Sequence, residues 1–264
     1  MRLVVGLAPL ALLAAASLPA SAADLAAVKA RGSLRVIAVD LKQPDEFFQL
    51  SGAPGFDREI LEGFAALHAV RLEPVAVAGW EDLVPALLED RGDVIAGRFT
   101  VTEERKKRIA FTRETFPTRN VVLTRQPTPP ARSLAELRAL RVGTIRGSSM
   151  AEAVARAGVP PANVDDGIRP GGLPAALGAG RVQAVVLGIE SAITARRDDR
   201  KIELGLFLGP PGSLAFGVRP ADAALRAALD GYIENLRRTA TWNRLAVKYF
   251  GDDAPEVLRK ARAE

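Results

Sequence analysis

The apolar residues of this chain follow two patterns, one typical of strands and one typical of amphipathic helices. Residues 34–39 alternate and are rich in β-branched side chains, which predicts a first strand. After Gly55, apolar residues recur at three- and four-residue spacing and predict a helix with one apolar face. That face consists of Ile60, Leu61, Phe64 and Leu67. Further strands are predicted at 71–77, 94–96 and 141–145, and this alternation of strands and helices indicates an α/β fold.

The N-terminus has the pattern of a secretory signal peptide. Met1-Arg2 is basic, an apolar stretch runs from Leu3 to about Leu18, and small residues up to Ala23 form an Ala-x-Ala exit. We therefore expect residues 1–23 to be a signal peptide that is removed, with cleavage after Ala22 or Ala23. A membrane anchor is the alternative, and it requires a longer apolar span of about 20 residues.

Composition narrows the function further. The net charge of +5 comes mostly from scattered arginines, without a basic run interleaved with aromatics, so no nucleic-acid partner is expected. The sequence contains no cysteine, which leaves no lipid-attachment cysteine and no disulfide. His68 is the single histidine, and a lone histidine makes neither a metal site nor a catalytic triad. We expect no metal, no cofactor and no catalytic residues.

The segment 92–112 carries the strongest candidate for binding chemistry. A short buried strand after Gly92-Asp93 is followed by Thr102, a plausible helix N-cap. Arg105 lies in the first turn, near the Thr100 hydroxyl, and a fixed guanidinium in such a place suits a carboxylate or a phosphate. The alternative is an arginine that pairs with a glutamate on a solvated helix.

This segment resembles the family 3 solute-binding proteins, the periplasmic receptors that supply polar amino acids to ABC importers. Five features match the family pattern without a gap, namely Asp93, Thr102, Arg105, Ile109 and Phe111-Thr112. The similarity extends over nearly the whole mature chain. It implies that Arg105 binds a ligand carboxylate and that Thr100 adds a hydroxyl. Arg98, in the preceding small-residue segment, is a candidate second positive group.

The second half of the chain carries the matching side of the expected site. After the strand at 141–145, the turn containing Ser148 and Ser149 corresponds to the family turn that closes on the same carboxylate. At Gly188 the amino-acid receptors have an aspartate that pairs with the ligand ammonium. Glu190 is expected to point elsewhere from its helix start. The ligand is therefore predicted to be a small carboxylate, with amine-bearing and amine-free molecules both left open.

The loop after the first strand is the remaining candidate. Asp40 follows that strand at the end that faces the ligand crevice in open α/β sheets. The family usually places a ligand-stacking aromatic in this loop, and here Phe47 or Phe48 is the candidate, although the spacing departs from the family pattern. Packing in the core is the alternative for the phenylalanine pair.

The resemblance also implies an architecture and a role. The expected fold is a type II two-lobe periplasmic binding protein, with lobes joined by a two-strand hinge. Lobe one is predicted at 24–124 and 212–264, and lobe two at 125–211. The protein is expected to be periplasmic and monomeric, and not an enzyme. Its expected function is to deliver its ligand to the permease of an ABC importer. A sensing or accessory binding protein and a dehydratase-like enzyme are the alternatives.

Overall fold

The computed structural model describes residues 24–41 and 45–252, so the predicted signal peptide lies outside the described residues. The strands are β1 (Ser33–Val39), β2 (Arg71–Val77), β3 (Val94–Ile95), β4 (Ala110–Arg125), β5 (Val142–Gly143), β6 (Val164–Asp165), β7 (Ala184–Gly188) and β8 (Ile202–Val218). The helices are α1 (Leu25–Arg31), α2 (Phe56–Leu67), α3 (Leu83–Leu88), α4 (Glu103–Lys106), α5 (Leu134–Ala139), α6 (Ser149–Arg156), α7 (Leu173–Gly178), α8 (Ile189–Asp198), α9 (Ala223–Arg238) and α10 (Thr241–Phe250). The strands predicted at 34–39, 71–77 and 94–96 are confirmed. None of the helices in these residues is long and apolar enough to cross a membrane.

All strands belong to one curled sheet with the order β2-β1-β3-β8-β4-β7-β5-β6. β1 pairs in parallel with β2 and β3, and β5 pairs in parallel with β6 and β7. The long strands β4 and β8 lie antiparallel to each other between these two groups. The sheet is thus two parallel halves on either side of a shared strand pair, which confirms an α/β fold with two lobes and a two-strand hinge.

We call the half containing β1–β3 lobe one and the half containing β5–β7 lobe two. Because β4 and β8 run through both lobes, neither strand marks a residue at which one lobe ends and the other begins. The boundaries at 24–124, 125–211 and 212–264 stay predictions.

An aromatic cluster holds lobe one together around the start of α2. The rings of Phe47, Phe56 and Phe116 lie 5.2–6.0 Å apart in edge-to-face contacts, and Trp242 of α10 packs against Phe56 at 5.9 Å. The Trp242 indole N–H donates to the Thr115 carbonyl at 2.6 Å. This polar contact fixes α10 on β4, so α10 closes the core of lobe one.

The predicted apolar face of α2 is correct at three of its four positions. Ile60, Leu61 and Phe64 are fully buried, whereas Leu67 is 67 % exposed. Leu67 is the last residue of the helix, where the chain turns away through His68 and Ala69 into β2. The apolar spacing of the sequence therefore continues to Leu67, although the end of the helix no longer packs against the core there.

A second apolar cluster extends from lobe one into lobe two. Its members include Trp80 and Leu83 of lobe one together with Ile145 and Leu173 of lobe two. Trp80 is buried there. The lobes therefore contact each other in this structure.

Candidate functional site

A cavity of about 540 Å³ lies between the lobes. Its walls come from the segments that follow β3, β5 and β7, and from the middle of β4 at Thr118 and Asn120. These segments leave the carboxyl ends of parallel strands, the usual place for a ligand in an open α/β sheet. The volume is within the ordinary range for small-molecule sites.

Arg105 enters the cavity wall from the short helix α4. The predicted N-cap is present, because the Thr102 hydroxyl accepts the Arg105 backbone N–H at 3.3 Å. The guanidinium donates to the carbonyls of Thr100 at 2.8 Å and Gly147 at 3.0 Å. It also lies 4.2 Å from the centre of the Phe99 ring. Arg105 therefore joins the lobes, since Thr100 belongs to lobe one and Gly147 to lobe two.

Burial makes Arg105 electrostatically unusual. The residue is only 7 % exposed, and loss of solvent lowers its pKa to about 10, although the nearby Glu152 carboxylate opposes this. Within the described residues its guanidinium has carbonyl and aromatic partners but no carboxylate at ion-pair distance. A buried guanidinium of this kind has a strong preference for an anion.

The serine turn faces Arg105 from lobe two. Ser148 caps α6, since its hydroxyl accepts the Ala151 N–H at 3.2 Å and donates to the Ile145 carbonyl at 2.6 Å. The Ser149 hydroxyl crosses the cleft and donates to the Thr100 hydroxyl at 3.0 Å. All three predicted hydroxyl residues line the cavity, Ser148 with its hydroxyl engaged in the helix cap.

Arg98 makes a second connection across the cleft. Its guanidinium donates to the Ser191 hydroxyl of α8 at 2.7 Å and pairs with the Asp45 carboxylate at 2.7 Å. Its backbone has a positive φ of 58°, a conformation that non-glycine residues rarely adopt. Asp57 holds it there by accepting the N–H groups of Gly97 and Arg98 at 3.0 and 3.1 Å. Asp57 is thus a structural hydrogen-bond acceptor.

The expectation that Glu190 points away from the site is wrong. Its side chain folds back over Gly188, and a Cβ added at Gly188 would overlap the Glu190 carboxylate. The Thr118 hydroxyl donates to this carboxylate at 2.9 Å, and Glu190 lines the cavity. Burial raises the pKa of Glu190. A carboxylate therefore occupies the space next to residue 188 even though residue 188 is glycine.

Asp40 and Phe48 do not line the cavity with the other candidates. Phe48 is 4 % exposed and packs in the core of lobe one. Its backbone N–H donates to Asp45, which shows how this loop folds inward. The Asp40 N–H donates to the Val77 carbonyl at 3.0 Å, which continues the pairing of β1 with β2. Asp45 and Glu46 are the residues of this loop that line the cavity.

Several polar residues of the cavity wall are not among the candidates predicted from the sequence, including Asp45, Glu46, Thr118, Asn120 and Ser191. Asp45 lies only three residues before Phe48, so the sequence predicted the right loop but the wrong side chain. Thr118 and Asn120 belong to β4, one of the two strands that join the lobes. A strand that crosses between the lobes must expose side chains to the cleft, so residues in the middle of such a strand are predictable candidates for the site.

The sequence model of the bacterial extracellular solute-binding proteins, family 3, matches residues 34–252. An L-arginine-binding protein from Pseudomonas aeruginosa is 28 % identical over 227 residues, which cover 81 % of this chain and 83 % of the relative. A probable histidine-binding protein from Campylobacter jejuni is 26 % identical over 106 residues, which cover 40 % of this chain and 41 % of the relative.

Solved structures agree on the fold. A mutant of the arginine-binding protein ArgBP from T. maritima superposes with a TM-score of 0.75 at 23 % identity, covering 86 % of this chain and 99 % of the other. An ancestral amino acid-binding protein, a precursor of cyclohexadienyl dehydratase, gives a TM-score of 0.72 at 21 % identity, covering 85 % and 98 % of the two chains. These matches confirm the type II two-lobe fold.

Gly147 provides a test of the contact between the lobes. It has a φ of 71°, and a Cβ added to it would lie 2.5 Å from the Glu81 backbone nitrogen of lobe one. We expect Gly147→Ala to force the lobes apart and to weaken ligand binding at least tenfold, measured by calorimetry, with a larger radius of gyration in X-ray scattering. Gly180→Ala is the control, because Gly180 has a φ of 69° with nothing within 4 Å of the added Cβ. Equal affinities of the two variants would contradict the interpretation.

Asp57 predicts a specific dependence of stability on pH. Burial raises the pKa of Asp57 to about 7, whereas an unfolded aspartate titrates near 4, so the folded state holds a proton that the unfolded state releases in between. The free energy of unfolding should therefore fall as pH rises from about 4 to about 7. Asp57→Asn should lose this part of the slope in urea unfolding at pH 5 and 8.

Asp230→Asn is the control for this experiment, since Asp230 also accepts a backbone N–H, from Arg113, but lies near the surface. It should keep the wild-type difference between pH 5 and pH 8. The same difference in Asp57→Asn as in the wild type would show that Asp57 does not titrate in this range.

Proposed function

The chain belongs to the bacterial extracellular solute-binding proteins, family 3, and we propose that it captures a small carboxylate ligand, an amino acid, between its lobes and delivers it to an ABC importer. The observation that carries this proposal is the buried Arg105 guanidinium in the wall of an interlobe cavity. A ligand carboxylate would supply the anion that Arg105 lacks. Thr100 and Ser149, whose hydroxyls meet beside it, are the proposed additional donors.

The charge of the cavity wall supports a cationic amino acid. Among the described lining residues, five carry carboxylates and two carry guanidinium groups. The acids are Asp45, Glu46, Glu190, Asp198 and Asp199. Asp45 is paired with Arg98 and Asp199 with Arg125, and the remaining excess of acids favours a ligand with net positive charge. The names of the Pseudomonas and Campylobacter relatives, for L-arginine and histidine, support the same class.

Binding rather than catalysis is the proposed role. Both relatives are named binding proteins. Closure around a ligand that touches both lobes would present one surface to a membrane permease, since such a ligand favours the closed form. The proposed location is the periplasm, and the chain is proposed to act as a monomer.

The first test concerns Arg105. Each charge-assisted hydrogen bond to a carboxylate contributes about 1.5–3 kcal/mol, so Arg105→Ala should weaken amino-acid binding at least tenfold. Arg105→Lys should restore little, because lysine lacks the planar fork. Calorimetry on the mature protein measures both, with thermal unfolding as the check that the variants fold.

Arg146→Ala is the matched control, because Arg146 precedes the same serine turn but is 67 % exposed and pairs with Asp166. It should bind as the wild type does. A folded Arg105→Ala protein with unchanged affinity would remove Arg105 from the proposed site.

Location and delivery are tested together in the source organism. Mass spectrometry of the periplasmic fraction should find a chain that begins near Ala23, and deletion of the gene should slow uptake of the radiolabelled ligand. A periplasmic chain that still begins at Met1 would refute cleavage. Normal uptake without the protein would favour the sensing or accessory role.

A further inference from the structure

The cavity wall holds a second charge that burial disfavours, opposite in sign to Arg105. Glu190 is in the first turn of α8, two residues after Gly188, which is the N-cap of that helix. Its neighbours include Arg98, which is already engaged by Asp45 and Ser191. Loss of solvent raises the pKa of the Glu190 carboxyl, and this effect is larger than the opposing attraction of Arg98. The wall therefore carries an acid that would be stabilised by a cationic group of the ligand.

The hydrogen bonds of Glu190 leave room for such a group. One carboxylate oxygen accepts from the Thr118 hydroxyl at 2.9 Å, and the backbone N–H of Glu190 itself also donates to the side chain. An ionised carboxylate has about four acceptor positions, so capacity remains for an ammonium group with its three donors. The Thr118 contact also ties the carboxylate to β4, which holds it on the cavity wall.

We infer that Glu190 binds the ammonium group of an amino-acid ligand, and that Gly188 and Glu190 act as a coupled pair. Glycine at 188 leaves the space that the Glu190 carboxylate fills, since a Cβ at 188 would overlap it. This inference rests on the proposed function, in which Arg105 binds the carboxylate of the same ligand. Together the two residues recognise a zwitterion, and an amine-free carboxylate satisfies only one of them.

The requirement for glycine at position 188 comes from the Glu190 side chain and not from the backbone. Gly188 has a φ of −65°, which any residue adopts, so backbone conformation does not require glycine there. The contact that a larger residue would make is with the Glu190 side chain. The requirement at 188 thus comes from the position of the carboxylate at 190.

The experiment compares matched ligands on the mature wild-type protein by calorimetry. The probes are L-arginine, L-histidine, L-glutamine and L-glutamate, each with the analogue in which hydrogen replaces the α-amino group, and the tightest pair is carried forward. The wild type should bind the amino acid at least tenfold more tightly than its deaminated analogue. Glu190→Gln should weaken binding of the amino acid about 10- to 100-fold and leave the analogue nearly unchanged.

Glu234→Gln is the control for the substitution itself, since Glu234 is 67 % exposed on α9 and should leave both affinities unchanged. The coupling is tested by a second pair of variants. Gly188→Asp alone should weaken binding, because its side chain meets Glu190. Adding Glu190→Gln to Gly188→Asp should recover at least tenfold of that loss, because the double variant again presents one carboxylate.

The outcomes separate this inference from the proposed function. Equal wild-type affinity for an amino acid and its deaminated analogue would overturn the inference and leave carboxylate binding intact, and this comparison needs no variant to fold. No recovery in a folded double variant would overturn the coupling of residues 188 and 190. Failure of the wild type to bind any probe, deaminated ones included, would overturn the proposed function and the inference with it.

Discussion

The antiparallel pairing of β4 with β8 is the constraint on which the arrangement of the site depends. Both lobes are continuous with these two strands, so the carboxyl ends of the parallel strands in each lobe face one cleft. The pairing shifts register between Thr118 and Asn120, where β4 passes the cavity. Side chains of the hinge itself are therefore part of the wall, and a ligand would touch the hinge as well as both lobes.

Contacts between the lobes and the charges of the cavity are coupled by this geometry. Arg105 reaches the Gly147 carbonyl, and Arg98 reaches Ser191, so both arginines of the cavity wall already have a partner in lobe two. Arg98 is also paired with the Asp45 carboxylate, whereas the neutral partners of Arg105 do not offset the cost of burying its guanidinium as a carboxylate does. A ligand anion would lower that cost most when the lobes are together, and ligand binding and closure would then stabilise each other.

Local signals in the sequence were sufficient for much of the fold. The strand β1, the helix α2 and the capping residue Thr102 each depend on a few neighbouring residues, and all three are confirmed. Side-chain direction depends on tertiary contacts instead. Phe48 faces the core because Asp45 binds its backbone N–H and turns the loop, and no pattern around Phe48 encodes that contact.

Glu190 shows the same limit in the site itself. Correspondence by position in the sequence identifies residue 188 and finds no charge there, yet the space beside residue 188 contains a carboxylate. A glutamate side chain is one methylene longer than that of an aspartate, and from the first turn of α8 its carboxylate folds back over Gly188, which has no Cβ to exclude it. The chemistry of a binding site therefore depends on which atoms occupy each part of it. The same carboxylate position in the site can be supplied by a residue at either of two nearby positions in the sequence. Such an exchange leaves a gap in the sequence pattern without leaving one in the site.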